Sequence, residues 1–240
     1  RKIVLFTGAG VSTESGIPDF RSPGGLWEKY TPVMYQDFLR SADARKKYWE
    51  MGKRTYPVFS QAQPNPAHYA IVELERMGKL YSLITQNVDG LHQKAGNSEE
   101  IVIELHGTAK WVDCLKCQKR YTRFEIQSWL EKGIEIPLCE DCGGILKPAT
   151  VSFGQPMPER ETRKAELNSR ECDLFLVVGS SLVVQPAALM PLFAKESGAK
   201  LVILNNSPTP HDHYSDLILT GSAGQILPKI IEPLPSAPSC

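Results

Sequence analysis

The chain has 240 residues, enough for one large domain or for one domain carrying a substantial insertion. Apolar residues make up 42% of it, and 27 Lys and Arg balance 27 Asp and Glu. That composition excludes wholesale disorder and directs no net field at nucleic acid or an acidic membrane face. Runs such as 174–178 are also far shorter than the ~20 residues a membrane span needs, so neither kind of partner is expected.

In chain order, "KIVLFT" (2–7) reads as a strand that starts at once, with no secretory h-region ahead of it. Further strands are expected at 80–85, 101–105, 174–179, 200–204 and 216–220. Their apolar runs are near-continuous rather than alternating, as expected when both faces of a sheet are covered. Helical stretches fall between them at 66–78, 159–171, 186–198 and 222–231. In the first, Asn65 can cap and Pro66 can take the first helical position. This βαβ-like alternation predicts an α/β fold, a doubly wound Rossmann-like parallel sheet. Two segments interrupt it. Residues 31–65 are aromatic, charged and helical in pattern, and 112–147 hold four spaced cysteines. The tail 235–240 is rich in Pro and Ser and reads as poorly ordered.

"LFTGAGVSTESGIPDFR" (5–21) places Gly8 and Gly10 directly after the first strand. Glycines there let a pyrophosphate approach backbone N–H groups at a helix start. A tight strand-to-helix turn would need the same glycines, and Thr13 stands where the usual third glycine would be. The continuation Pro18, Asp19, Phe20, Arg21 is stiff, charged and aromatic, more than a plain connection requires.

A second strand ends in "TQNVDGLH" (85–92). Amides and acids at that place suit either turn and cap chemistry or a ligand pocket at the carboxyl edge of a parallel sheet. His106, in "ELHG", also follows a strand. A lone histidine is usually structural, but an imidazole titrating near neutrality can accept a proton from a hydroxyl.

Cys114-x-x-Cys117 and Cys139-x-x-Cys142 are separated by 21 residues. Two such hooks can present four thiolates tetrahedrally to Zn²⁺, and a segment this short needs the metal to fold. A redox dithiol is the alternative, poor for two matched hooks. A catalytic zinc is disfavoured because four thiolates leave no open position. Cys172 reads as a small buried apolar residue.

Taken in order, "GAGVSTESGIPDFR", "TQNVDGLH", "ELHG", the paired C-x-x-C hooks, "KPATVSFG", "VVGSSLVVQPA" and "ILNN" resemble the sirtuins, the NAD-dependent protein deacylases. The likeness runs from about Lys2 to Pro233, and the stretch 46–68 is most similar to class II members. The resemblance implies one catalytic domain over 1–234. Its large Rossmann-like part would comprise 1–30, 79–111 and 148–234, and its small part a helical insertion (31–78) and a zinc ribbon (112–147).

It further implies NAD as co-substrate, one structural Zn²⁺ and an acylated lysine of a protein or peptide as substrate. By that likeness the acyl oxygen attacks the ribose carbon bearing nicotinamide. His106 then acts as the base on a ribose hydroxyl, and the acyl group leaves on ADP-ribose. Asn87 and Asp89 would line the nicotinamide pocket and serve catalysis. Cofactor contacts are implied for Gly8, Ala9, Gly10, Ser12, Thr13, Ile17, Pro18, Asp19, Phe20, Arg21, Gln86, Asn87, Val88 and Asp89. A second group comprises Gly179, Ser180, Ser181, Asn205, Asn206, Ser207 and Ala223. Asp89 could instead cap a helix, Ala223 could be helix-start packing, and His92 reads as a packing or surface residue.

Val151, Phe153 and Gly154 would take the substrate as an added strand, although Ala149 and Gln155 replace usual acids. The Tyr-x-x-Arg clamp of desuccinylating relatives is absent, since Met51 follows Tyr48. Helix packing is the expectation for Tyr48, Trp49, Tyr56 and Phe59. A monomer is expected, in the cytoplasm of a bacterium or archaeon or in the mitochondrial matrix of a eukaryote. Mono-ADP-ribosyl transfer and a silent NAD- or zinc-binding module are the competing functions.

Overall fold

The computed structural model describes residues 2–19, 25, 28 and 30–232. Its strands are β1 (Ile3–Thr7), β2 (Leu80–Thr85), β3 (Val102–Glu104), β4 (Gly107–Cys114), β5 (Arg120–Thr122), β6 (Leu146–Thr150), β7 (Leu174–Val178), β8 (Lys200–Asn205) and β9 (Leu217–Thr220). Its helices are α1 (Tyr35–Arg40), α2 (Ala42–Gln61), α3 (Pro66–Arg76), α4 (Leu91–Ala95), α5 (Arg123–Glu131), α6 (Glu159–Glu171), α7 (Met190–Glu196) and α8 (Ala223–Ile231).

Six strands pair in parallel in the order β3-β2-β1-β7-β8-β9. All six are strands expected from sequence, with ends moved by a residue or so. Successive side chains of a strand point to opposite faces, and here both faces are covered. Val4 and Phe6 join Phe175, Val177 and Ile103 under Ala165 of α6 and Met190 and Ala194 of α7. Leu5 joins Leu83, Val178 and Leu204 under Ala67, Ile71 and Leu74 of α3 and Leu227 of α8. Each fully buried Leu, Ile or Phe of this kind contributes about 1.5–3 kcal/mol. The doubly wound arrangement is therefore present. Its strand order reverses between β1 and β7, where open α/β sheets place their ligands.

The second part is a three-stranded antiparallel sheet, β5-β4-β6. These strands were not predicted. β5 has three residues, and β4 ("GTAKWVDC") is only partly buried along most of its length, so neither carries an apolar run to read. Their core is small: Val112, Tyr121, Leu146, Ile126 and Leu130 of α5, and Trp49 of α2. Trp49 is thus packing, as expected.

The part boundaries differ from the sequence division. Residues 66–76, grouped there with the helical insertion, form α3 against the large sheet. The divisions at 111–112 and 147–148 fall inside β4 and β6. Only the turn residues Leu105 and His106 separate β3 of the large sheet from β4 of the small one. No described helix is long and apolar enough to cross a membrane.

Candidate active site

The loop after β1 and the loop after β7 interlock through glycines. The Gly10 amide donates to the Gly179 carbonyl at 2.8 Å and the Gly8 amide to that of Val178 at 3.2 Å. A Cβ on Gly8 would lie 2.8 Å from the Gly179 oxygen, and one on Gly10 2.8 Å from the Gly179 Cα. Gly179 itself has φ +62 and its pro-Cβ direction runs into the Val11 amide. Side chains are excluded at all three positions, leaving the bare backbone floor that a dinucleotide phosphate requires.

Around this floor the polar residues converge. Asn87 is buried and donates from Nδ2 to the Gly8 carbonyl (3.2 Å) and Ser12 Oγ (3.1 Å), while its own amide donates to Thr85 Oγ1 (3.0 Å). Ser12, also buried, donates to Asp89 Oδ2 at 2.8 Å, and the Leu91 amide donates to Asp89 Oδ1 at 2.9 Å. Asp89 therefore forms the turn at the start of α4 with one oxygen and holds Ser12 of the glycine loop with the other. Burial pushes its carboxyl above the usual range, opposed by the Leu91 and Ser12 donors. Gln86 donates from Nε2 to Ser180 Oγ at 2.7 Å, joining the ends of β2 and β7.

His106 lies on the same rim. Its Nδ1 is 3.0 Å from the Gln86 carbonyl. A carbonyl only accepts, so Nδ1 carries the proton and Nε2 keeps its lone pair. Burial lowers the imidazole's pKa, partly offset by that same bond. At neutral pH the ring is an uncharged base with its tautomer fixed. Gly107 (φ +70) follows because the Ala149 carbonyl crosses where a Cβ would stand.

The remaining expected residues are placed as follows. Ala9 lies in the short turn Ala9–Val11 and Thr13 in the next, its Oγ1 donating back to the Gly10 carbonyl. Ile17 is buried with Ala62 and Leu91, so it packs beneath the loop. Pro18 and Asp19 are half-buried, whereas Phe20 and Arg21 lie outside the described residues. Val88 accepts from the Ala109 amide at 2.9 Å. Ser181 is exposed beside buried Ser180. Asn205 ends β8 with Asn206 and Ser207 exposed after it, and Asn205 Nδ2 donates to the Ser207 carbonyl at 2.7 Å. Ala223 starts α8 and is buried at the edge of the large core. His92 is fully interior, with Nε2 2.9 Å from Thr7 Oγ1.

The segment Val151, Phe153, Gly154 runs on from β6 past the base. The Val151 amide donates to the His106 carbonyl at 2.8 Å, and the Tyr35 amide to that of Phe153 at 2.9 Å. Gln155, one of the departures, closes the turn: its Oε1 accepts from the Ser152 amide at 3.1 Å. Tyr48 reaches the same strand, its hydroxyl 3.4 Å from Thr150 Oγ1.

Two anchors were not recognised from sequence. Asn65 does cap α3, but its Nδ2 also holds the glycine loop through the Val11 carbonyl (2.8 Å) and Ser15 Oγ (2.9 Å). Lys147 is buried against the Pro148 and Thr150 carbonyls, and desolvation lowers it to about 8. A capping asparagine and a strand lysine give no hint of such partners until the chain is folded.

The four hook cysteines do converge. Cys114, Cys117, Cys139 and Cys142 bring their Sγ atoms within 4.8 Å of one another, with Cys114–Cys142 at 3.5 Å and Cys117–Cys139 at 3.6 Å. Those separations are too long for disulfides and close to the ~3.8 Å edge of a tetrahedron with Zn–S bonds of about 2.3 Å. Tyr121 Oη, 3.3 Å from Cys139 Sγ, buttresses the cluster. Cys172 is buried and free, as expected.

Comparison with known proteins gives a consistent picture. The family model described as "Sir2 family" matches residues 8–186. An NAD-dependent protein deacetylase of Thermodesulfovibrio yellowstonii is 47% identical over 234 residues, covering 97% of this chain and 90% of the relative. An NAD-dependent protein deacylase 2 of Archaeoglobus fulgidus is 47% identical over 230 residues, covering 95% and 89%. A solved Sir2 structure bound to a propionylated peptide superposes with a TM-score of 0.87 at 37% identity, covering 97% of this chain and 92% of that one. Another, with a peptide and NAD+, gives 0.88 at 38% over 97% and 92%. With a family model matched over residues 8–186 and relatives 47% identical over nearly the whole chain, this chain belongs to the Sir2 family.

Proposed function

We propose that the chain is an NAD-dependent protein-lysine deacylase, converting acyl-lysine and NAD to lysine, nicotinamide and O-acyl-ADP-ribose. The observation that carries this reading is His106: a neutral imidazole, its tautomer set by the Gln86 carbonyl, on the same rim as Asn87 and Asp89. A pure binding module needs no base there. NAD supplies the ribose that receives the acyl group and the nicotinamide that leaves.

The chain's own residues do the rest. Gly8, Gly10 and Gly179 offer backbone to the phosphates, with Ser12, Gln86, Ser180, Ser181 and Asn205–Ser207 along the same edge. Asn87 and Asp89 hold the carboxamide and ribose end, and His106 Nε2 accepts the hydroxyl proton. The main chain at 151–154 takes the peptide as an added strand, which tolerates many sequences. Cys114, Cys117, Cys139 and Cys142 hold one structural Zn²⁺. All of these lie in one chain, which supports action as a monomeric domain over 1–234. The bacterial and archaeal relatives support a cytoplasmic setting.

Incubation with NAD and a panel of acyl-lysine peptides, followed by mass spectrometry, tests the reading. Nicotinamide and O-acyl-ADP-ribose are expected in equal amounts, with His106→Ala slower by about 10²–10⁴-fold while folded and metal-loaded. ADP-ribose on protein without deacylation would favour the transferase instead, and parental rates in His106→Ala would refute the assigned base.

A further inference from the structure

The loop after β1 is tied to the last helix by a contact between residues 208 positions apart. Glu14 Oε1 accepts from Ser222 Oγ at 2.6 Å and from the Gly224 amide at 2.9 Å. Ser222 occupies the N-cap position of α8, yet its side chain makes no cap bond to its own helix. A serine there ordinarily satisfies one of the helix's free N–H groups itself. Here the hydroxyl is turned outward as a donor, and the capping oxygen comes from the other end of the chain. Gly224 completes the fit, because a Cβ at that position would collide with the Glu14 carboxylate.

Helix stability alone does not call for this arrangement. A local serine cap would contribute a similar amount, and Glu14 is exposed, where charge interactions are screened. What the contact adds is a fixed distance. Glu14 follows Ser12 by two residues on the phosphate-side loop, and the two atoms it accepts from flank Ala223, just after β9 and beside the Asn205 end of β8. That is the side of the sheet edge away from Asn87 and Asp89, and so the adenosine end when those two hold the nicotinamide and its ribose. We propose that Glu14 is a positioning residue for the dinucleotide: it latches the glycine-rich loop to the first turn of α8 and sets the width of the cleft at its adenosine end. This rests on the NAD reading above. The nicotinamide end is held separately, by Asn87 and Asp89, so loss of the latch loosens one half of the ligand and not the other.

Calorimetric titration with ADP-ribose and steady-state kinetics with an acyl-lysine peptide test the latch. Glu14→Ala weakens ADP-ribose binding and raises KM for NAD by about three- to tenfold, the range for losing two hydrogen bonds to a carboxylate at an exposed, screened site. It leaves kcat at saturating NAD and KM for the peptide unchanged. Glu14→Gln, which keeps an acceptor for the Gly224 amide, falls between, and Gly224→Ala reproduces the defect with Glu14 intact. If Glu14→Ala does not fold, the other two variants still decide.

Parental ADP-ribose affinity in Glu14→Ala or in Gly224→Ala would overturn the latch while leaving the deacylase reading in place. Equal losses in kcat and peptide KM would also overturn it, as a general structural defect. A parent protein that binds neither ADP-ribose nor NAD would overturn the cofactor reading and the latch together.

Discussion

Ser12 and Asp89 face each other across the rim of the sheet, the serine hydroxyl donating to Oδ2 at 2.8 Å while Oδ1 takes the Leu91 amide. Both donors favour the ionised carboxyl, against burial, which favours the neutral one. Ser12→Ala removes one of them, so the Asp89 pKa rises further. The acid limb of kcat/KM for NAD moves to higher pH, and the value at pH 7 falls roughly tenfold. A pH–rate profile of the variant beside the parent checks this; an unmoved or downward-shifted limb would contradict it.

Gly179 is where the two phosphate-side loops touch, and its φ of +62 is a conformation that L side chains rarely adopt. Gly179→Ala adds both backbone strain and a collision with the Val11 amide. Destabilisation of about 1–3 kcal/mol is expected, accompanied by loss of NAD binding. Urea denaturation and cofactor titration measure the two effects, and a fully stable variant with parental affinity would show that the loops need not interlock.

Metal analysis of purified protein is expected to give one Zn²⁺ per chain. Chelation removes a contribution of about 10–16 kcal/mol apparent from a module whose core is little more than Trp49, Val112, Tyr121, Ile126, Leu130 and Leu146. Protease cleavage within 115–145 follows chelation, while the large sheet stays protected. Well below one metal per folded chain would count against the site.

His68 and His92 pack with ring centroids 4.9 Å apart and planes tilted by 50°, both fully interior. Burial lowers His68 from 6.5 to about 4 and holds His92 well below its ordinary value, with His68 adding to that. Below pH 6.5 the unfolded chain binds protons that the folded one refuses. Stability therefore falls as pH drops from 6.5 toward 4, by on the order of 3 kcal/mol for His68. Urea midpoints across that range measure it. His68→Gln, which can still accept from the Asn65 amide but does not titrate, flattens the slope; an unchanged slope would assign the effect elsewhere.

The large sheet was legible because its strands are buried on both faces and write themselves as apolar runs, Phe175–Val178 most plainly. The rim was legible only through the resemblance to the sirtuins, since Gln86, Asn87 and Asp89 by themselves suit a turn or cap equally well. The small sheet was not, since residues 107–122 pair through backbone and leave little pattern in the side chains. Nor were the long-range anchors. Asn65 announces itself as a cap, Glu14 as a surface acid and Ser222 as a helix start, and only folding brings Glu14 to Ser222. The His106 tautomer likewise depends on a carbonyl that any residue at position 86 would possess.

β4 starts at the residue following His106 and ends at Cys114 without interruption. At about 3.3 Å per residue it is a rod of some 23 Å, irregular where its pairing with β6 shifts between Gly107 and Val112, with the base just before one end and a hook cysteine at the other. A heavy metal that displaced zinc, or an oxidant that consumed a cysteine, would act on the far terminus of that rod and spoil the aim of a base it never meets. Sensitivity to thiol damage is thereby built into a reaction that uses no thiol.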